Sequence, residues 1–177
     1  MNIHRFAVMS ALTVVSAALP ACGSEDAAGG GGAGTIQIFV VPEETISEGL
    51  DPGTGAENVV DGWTIRYSRY LVAVGNFRAA RSDTGDTLAE PSVYVLDLAS
   101  APAAGYIAAE IGGVAAARWD KFGYDIPNAK AGDHVLAPTT QADLDFMVQH
   151  GYSVYYEGYG EKAPDEIRDD AETVANM

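Results

Sequence analysis

Trp63 to Val74 reads WTIRYSRYLVAV, and this stretch decides the fold class. Trp63, Ile65, Tyr67, Leu71 and Ala73 alternate with Thr64, Arg66, Ser68 and Tyr70. That period of two belongs to a half-buried β-strand, because successive side chains of a strand point to opposite faces. Gly75 and Asn76 follow, and two readings are open there. The pair suits a tight hairpin turn into Phe77 to Arg81, and it equally suits one long bent strand with a bulge at Gly75.

Working outward, Thr35 to Val41 (TIQIFVV) is a β-branched run ended by Pro42 and reads as the first strand. Residues 42–62 are rich in Gly, Pro and acid and form a long surface loop, with a helical turn at EETISEGL. On the other side, SDTGDT (residues 82–87) reads as a hairpin connection and Ser92 to Leu98 (SVYVLDL) as a short strand. Residues 100–117 are rich in Ala and Gly, with a short strand over Tyr106 to Ile111. Trp119 to Ile126 is a further strand, stopped by Pro127. One helix is signalled: Thr140 and Asp143 form a capping pair, Leu144, Met147 and Val148 an apolar stripe, and Gly151 the stop. Tyr152 to Tyr159 follows as a tyrosine-rich strand. The expectation is a mainly β domain, a β-sandwich with one short α-helix near the C-terminus.

Ahead of this domain lies a segment of another kind. Arg5 makes a basic start, Phe6 to Ala18 an apolar run too short to span a bilayer, and small residues follow. Leu19, Pro20, Ala21 and Cys22 resemble the bacterial lipobox, with Pro20 in place of the usual small residue. The resemblance implies cleavage before Cys22 and acylation of its thiol, which also accounts for a single cysteine in an exported chain. Two or three acyl chains would anchor the protein stably. Gly23 is not the Asp that favours inner-membrane retention in such proteins, so the resemblance implies the outer membrane, at its periplasmic face or the cell surface. Residues 23–34, GSEDAAGGGGAG, hold no large apolar side chain and read as a flexible tether with a reach of roughly 20 Å. The expected organisation is a signal peptide over 1–21, the lipidated cysteine and tether over 22–34, one β-sandwich domain over 35–160 and an acidic tail over 161–177.

The chain of 177 residues carries 25 Asp and Glu against 10 Lys and Arg. After Cys22 all 25 acids remain with nine Lys and Arg, a formal charge of −16. Nucleic acid is excluded as a partner by the lack of a concentrated positive face. The one basic stretch runs from Gly62 to Ser82, with Arg66, Arg69, Arg78 and Arg81 and no acid. These arginines either pair with acidic neighbours across the sheet or form a face toward anionic lipid headgroups or a polyanionic glycan.

Catalytic residues do not stand out, and no cofactor or metal is expected. His134, in an expected loop, and His150, in the last turn of the expected helix, have no metal-ligand spacing. Asp83, Gly85 and Asp86 have the oxygen-rich character of a weak calcium turn but depart from the EF-hand pattern. An enzyme, metal-dependent or active on glycans, would require His134 or His150 to converge with Asp125 or Glu157. Tyr152, Tyr155, Tyr156 and Tyr159 admit two readings. Alternation puts Tyr152, Val154 and Tyr156 on a core side; alternatively Tyr155 and Tyr159 belong to an aromatic surface for a glycan or protein partner. An unsucceeded tyrosine-rich edge strand suggests either that the chain is a piece of a longer lipoprotein or that Tyr152 to Tyr159 pairs with another chain.

IRYSRYLVAVGNF from Ile65, YVLDL from Tyr94 and KFGYDIPNA from Lys121 together resemble exported bacterial lipoproteins with a prealbumin-like or immunoglobulin-like β-sandwich. The resemblance implies a non-catalytic binding or envelope-scaffold module and carries over no catalytic residues.

Overall fold

A computed structural model describes residues 33–162. Leu19, Pro20, Ala21 and Cys22, the signal peptide, most of the tether and most of the acidic tail lie outside the described residues. The described chain is mainly β. In order it runs β1 (Ala33–Val40), α1 (Glu44–Ser47), β2 (Trp63–Ala80), β3 (Thr87–Asp97), a 3₁₀ turn (Leu98–Ser100), β4 (Tyr106–Ala115), β5 (Lys121–Asp125), β6 (His134–Val135), α2 (Gln141–His150) and β7 (Val154–Lys162). β1 and β7 each reach two residues beyond the expected 35–160 domain. None of these helices is long and apolar enough to cross a membrane.

β2 is a single strand of 18 residues, so the bent-strand reading holds and the hairpin at Gly75-Asn76 does not. Its register against β3 shifts between Gly75 and Phe77, leaving Asn76 as an unpaired extra residue with φ of 51°. Asn tolerates that left-handed conformation better than most residues. Gly75 is needed for a different reason: a Cβ there would lie 2.2 Å from the Ser92 carbonyl oxygen, so the two backbones approach too closely for any side chain. The chain reverses later. Arg81 N–H donates to the Asp86 carbonyl at 3.0 Å, and the SDTGDT segment joins β2 to β3 as the sequence suggested.

β2 organises the larger sheet. β3 pairs along Leu71–Ala80, β5 along Gly75–Ala80 and β7 along Trp63–Val72. The overlaps put β3 on one side of β2 and place β7 and β5 end to end on the other. β6 adds a short parallel rung to β3. β1 and β4 form a separate antiparallel pair with two bulges.

Both faces of the large sheet are covered. On one face Tyr70, Val72, Val74, Phe77 and Leu96 pack against Ile38 and Val40 of β1 and Tyr106 and Ala108 of β4. On the other, Leu71, Ala73 and Val95 pack against Leu144 and Met147 of α2. Tyr70 to Gly75 are therefore all buried, and the one-sided alternation expected there gives way in the middle of the strand. Burying each fully enclosed Leu or Met contributes about 2–3 kcal/mol before the entropy of ordering it.

α2 forms where its capping signals lie. The Thr140 hydroxyl and the Asp143 carboxylate cap each other's backbone N–H groups, and Gly151 closes the helix at φ 66°. A buried junction ties this region to the sheet. Asp97 accepts from Tyr70 N–H at 2.9 Å, its own N–H donates to Thr139 Oγ1 at 2.7 Å, and the Tyr106 hydroxyl donates to its carbonyl at 2.8 Å.

Candidate functional site: the aromatic flank of β7

β7 does not behave as a core strand. Seven of its nine residues are exposed and the other two half-buried, because α2 covers the middle of the sheet and β1–β4 stops short of the Trp63 end. Tyr156 is 63% and Tyr159 58% exposed, and Val154 is exposed as well. The reading of Tyr152, Val154 and Tyr156 as one core-covering row is therefore overturned. Tyr152 precedes the strand and packs with Tyr155 instead.

Two aromatic groups flank the strand, one on each face. On the α2 side, Phe146 lies 4.7 Å from Tyr155 and 4.8 Å from His150, centroid to centroid. His150, Tyr152 and Tyr155 follow with near-parallel rings, at 5.2 Å and 14° and then 5.8 Å and 8°. The helix sets this up: Phe146 and His150 are four residues apart and share a face, and the left-handed Gly151 swings Tyr152 back beside them. The Arg69 guanidinium sits 5.1 Å over Phe146 and 5.7 Å over Tyr155 while bonding the Asp143 carboxylate. The Tyr155 hydroxyl donates to Glu157 Oε2 at 3.3 Å. Partial burial first and the Glu157 carboxylate second push the Tyr155 phenol above its ordinary range. Asp143 moves the other way. Burial alone would raise it, but bonds from the Thr140 hydroxyl and N–H, joined by Arg69, hold it below the usual carboxylate range.

On the opposite face Tyr67, Tyr70 and Tyr156 form a second group. Tyr70 and Tyr156 stack at 5.8 Å, and Tyr67 meets each edge-on at 5.5 and 6.0 Å. Burial, with Tyr70 and Tyr156 adding to it, raises the Tyr67 phenol.

All four arginines of the basic stretch are held by carboxylates. Arg66 is seated on the Leu50 carbonyl and Asp51 of the β1–β2 loop. Arg69 reaches Asp143. Arg78 binds Asp125 through two bonds of 3.0 and 2.8 Å, which keeps that carboxyl below its usual range. Arg81 closes on Asp83 and Asp86 within the hairpin. The Asp83 and Asp86 oxygens read as calcium-turn ligands thus face a guanidinium.

The histidines are apart. His134 belongs to β6, not to a loop, and its ring stacks on Tyr94 at 5.2 Å. β6 and β5, which carries Asp125, lie at opposite ends of the strand order, so these two do not converge. Among the described residues no group of three or more His, Cys, Asp and Glu is placed to hold a metal ion. Phe146 and the His150–Tyr152 stack escaped the sequence reading; the signal was present in the four-residue spacing of Phe146 and His150 ahead of Gly151-Tyr152. Neither protein-family models, nor curated proteins, nor solved structures give a match to this chain.

Proposed function

We propose that this chain is a lipid-anchored protein of the outer membrane, held by acylated Cys22 and the tether to residue 34, and that its folded domain is a non-catalytic module binding an envelope glycan. The sandwich reading belongs to the same proposal: β1–β4 and the large sheet are its two layers, supported by their shared core, and α2 is an addition outside them.

One observation carries the binding role: the His150–Tyr152–Tyr155 row, exposed at His150 and Tyr152 and seated on the core by half-buried Tyr155, next to Glu157 and Arg69. Sugar rings offer C–H faces that pack on aromatic rings and hydroxyls that bond carboxylates and guanidiniums, and tyrosines supply both an apolar body and a polar tip. The non-catalytic part is supported by how the candidate acid and base groups are engaged, Asp125 by Arg78, Glu157 by Tyr155 and His134 by Tyr94.

Two measurements test the proposal. Intact mass and membrane fractionation of the full chain beside Cys22→Ser are expected to show lipid mass and outer-membrane partition for the parent only. Co-sedimentation with insoluble cell-wall glycan is expected for the parent and lost in Tyr152→Ala/Tyr155→Ala. Equal sedimentation of both would refute the glycan reading.

A further inference from the structure

β7 has a second surface besides its side-chain faces: the backbone edge pointing away from β2. Ala73 N–H donates to the Ser153 carbonyl, so residue 153 and, by alternation, Tyr155, Glu157 and Tyr159 direct their backbone groups toward β2. Val154, Tyr156, Gly158 and Gly160 direct theirs outward, and among the described residues no strand pairs on that side. The extra residue of the bulge in this pair lies on β2, between Tyr67 and Arg69, and opposite it the Gly158 backbone approaches the Arg66 carbonyl too closely for any side chain.

Exposed edges are normally blunted by proline, bulges, brevity or inward charge. Other edges here are short, bulged or faced by another strand. β5 has five residues and β6 two, β4 carries both bulges of its pair, and β1 lies across an apolar crevice from β5. β7 is nine residues long, its pair's extra residue lies on β2, and its charges are Glu157, Glu161 and Lys162. It has no proline, and its single lysine stands at its last position.

We infer that β7 pairs edge to edge with β7 of a second copy, antiparallel about a two-fold axis through Gly158. Length of overlap and charge together favour this register. With Gly158 opposite Gly158, all nine residues overlap, Tyr156 faces Gly160, Tyr159 faces Glu157 and Tyr155 faces Glu161. A shift of the axis to Glu157 sets Glu157 against itself, and a shift to Tyr159 sets Glu157 against Glu161, and like charges directly opposite are destabilising. An aromatic ring over a glycine already occurs where β7 meets β2: the Trp63 ring lies over Gly160. The pairing joins two large sheets into one continuous sheet and covers Tyr156 and Tyr159, the two most exposed tyrosines. The Gly158 pair and the two Tyr156–Gly160 pairs supply six new backbone hydrogen bonds.

The test uses the full chain in the expressing cells and disulfide trapping. In the Gly158 register, residues 157 and 159 of the two copies form the close, non-hydrogen-bonded pair, within reach of a disulfide. Glu157→Cys/Tyr159→Cys is expected to give a covalent dimer on a non-reducing gel after mild oxidation. The parent with Cys22 alone and a Phe122→Cys control on exposed β5 set the background. Adding Tyr156→Pro, which removes an outward N–H together with the ring stacked on Tyr70, is expected to cut the trapped dimer at least tenfold while protease resistance shows the fold intact, whereas Tyr156→Ala, which removes the ring and keeps the N–H, is expected to keep most of the trapping. No dimer above background overturns the inference, as it would if another segment of the chain covered this edge. Trapping unaffected by a folded Tyr156→Pro chain overturns it equally.

Discussion

Replacing Asp143 by alanine tests whether α2 is fastened to the sheet by charge. Asp143 accepts from Thr140 N–H at 2.8 Å and from the Thr140 hydroxyl at 2.6 Å, and its other oxygen takes the Arg69 guanidinium. Loss of the capping box costs about 1 kcal/mol. Loss of a charge-assisted bond at a half-covered site costs about another 1 kcal/mol, more than a fully exposed pair because the Asp143 side chain is only 17% exposed. The expected total is about 2 kcal/mol, or a fall in Tm of about 4–8 °C. Urea denaturation followed by Trp63 and Trp119 fluorescence measures it, and Arg69→Ala with the double variant completes the cycle. A coupling of about 1 kcal/mol is expected between the two sites. The pH dependence has a definite sign: the folded carboxyl titrates below its unfolded value, so its contribution is complete above about pH 4 and fades as the pH falls through the lower folded value. The gap between parent and Asp143→Asn should therefore narrow in acid. Additive single variants, or a gap that widens in acid, would refute the ion-pair account.

Three further outcomes are expected. Gly75→Ala should cost about 3 kcal/mol or prevent folding, since the new Cβ meets Ser92 and Val93 backbone, whereas Gly85→Ala, at φ 78° with open space around it, should cost only about 1 kcal/mol; paired denaturation curves decide. Met147→Ala, at a fully buried position, should lose about 2–5 kcal/mol by leaving a cavity between α2 and β2, measured by the same curves. Asp97→Ala should lose about 2 kcal/mol by removing the acceptor of Tyr70 N–H and Ala99 N–H, and Asp97→Asn, which keeps an acceptor oxygen, should recover part of it; faster amide exchange at Tyr70 would report the same loss locally.

The sequence made the elements legible where a local rule was sufficient. Alternation marked β2, and the Thr140, Asp143 and Gly151 signals bounded α2 to the residue. At Gly75-Asn76 local rules were satisfied by a turn and by a bulge alike, and the choice fell to the pairing of Arg78 to Ala80 with β3 and β5. Leu71 to Val74 looked one-sided because nothing local shows that a helix 70 residues later covers the second face. The same distance hid the site. Arg69 and Asp143 are 74 positions apart, and the ring row depends on how far Gly151 turns the chain. Tyr156 was misread because strand periodicity tells which residues share a face, not whether anything lies over it.

The reach of β2 also sets an order of assembly. Its pairing with β3 closes a six-residue turn and needs little loss of chain entropy, so it can form as soon as Asp97 is available. Its pairing with β7 joins residues about 90 positions apart, from Val72 to Val154 and from Trp63 to Lys162. The Trp63 half of β2, bonded on its other edge to Leu50 through Ile65, therefore waits for the last strand with its β7-facing edge uncovered in the meantime. In a nascent chain that interval is when a holding chaperone has most to bind, and variants that slow the docking of β7 should raise dependence on one even where the finished fold is no less stable.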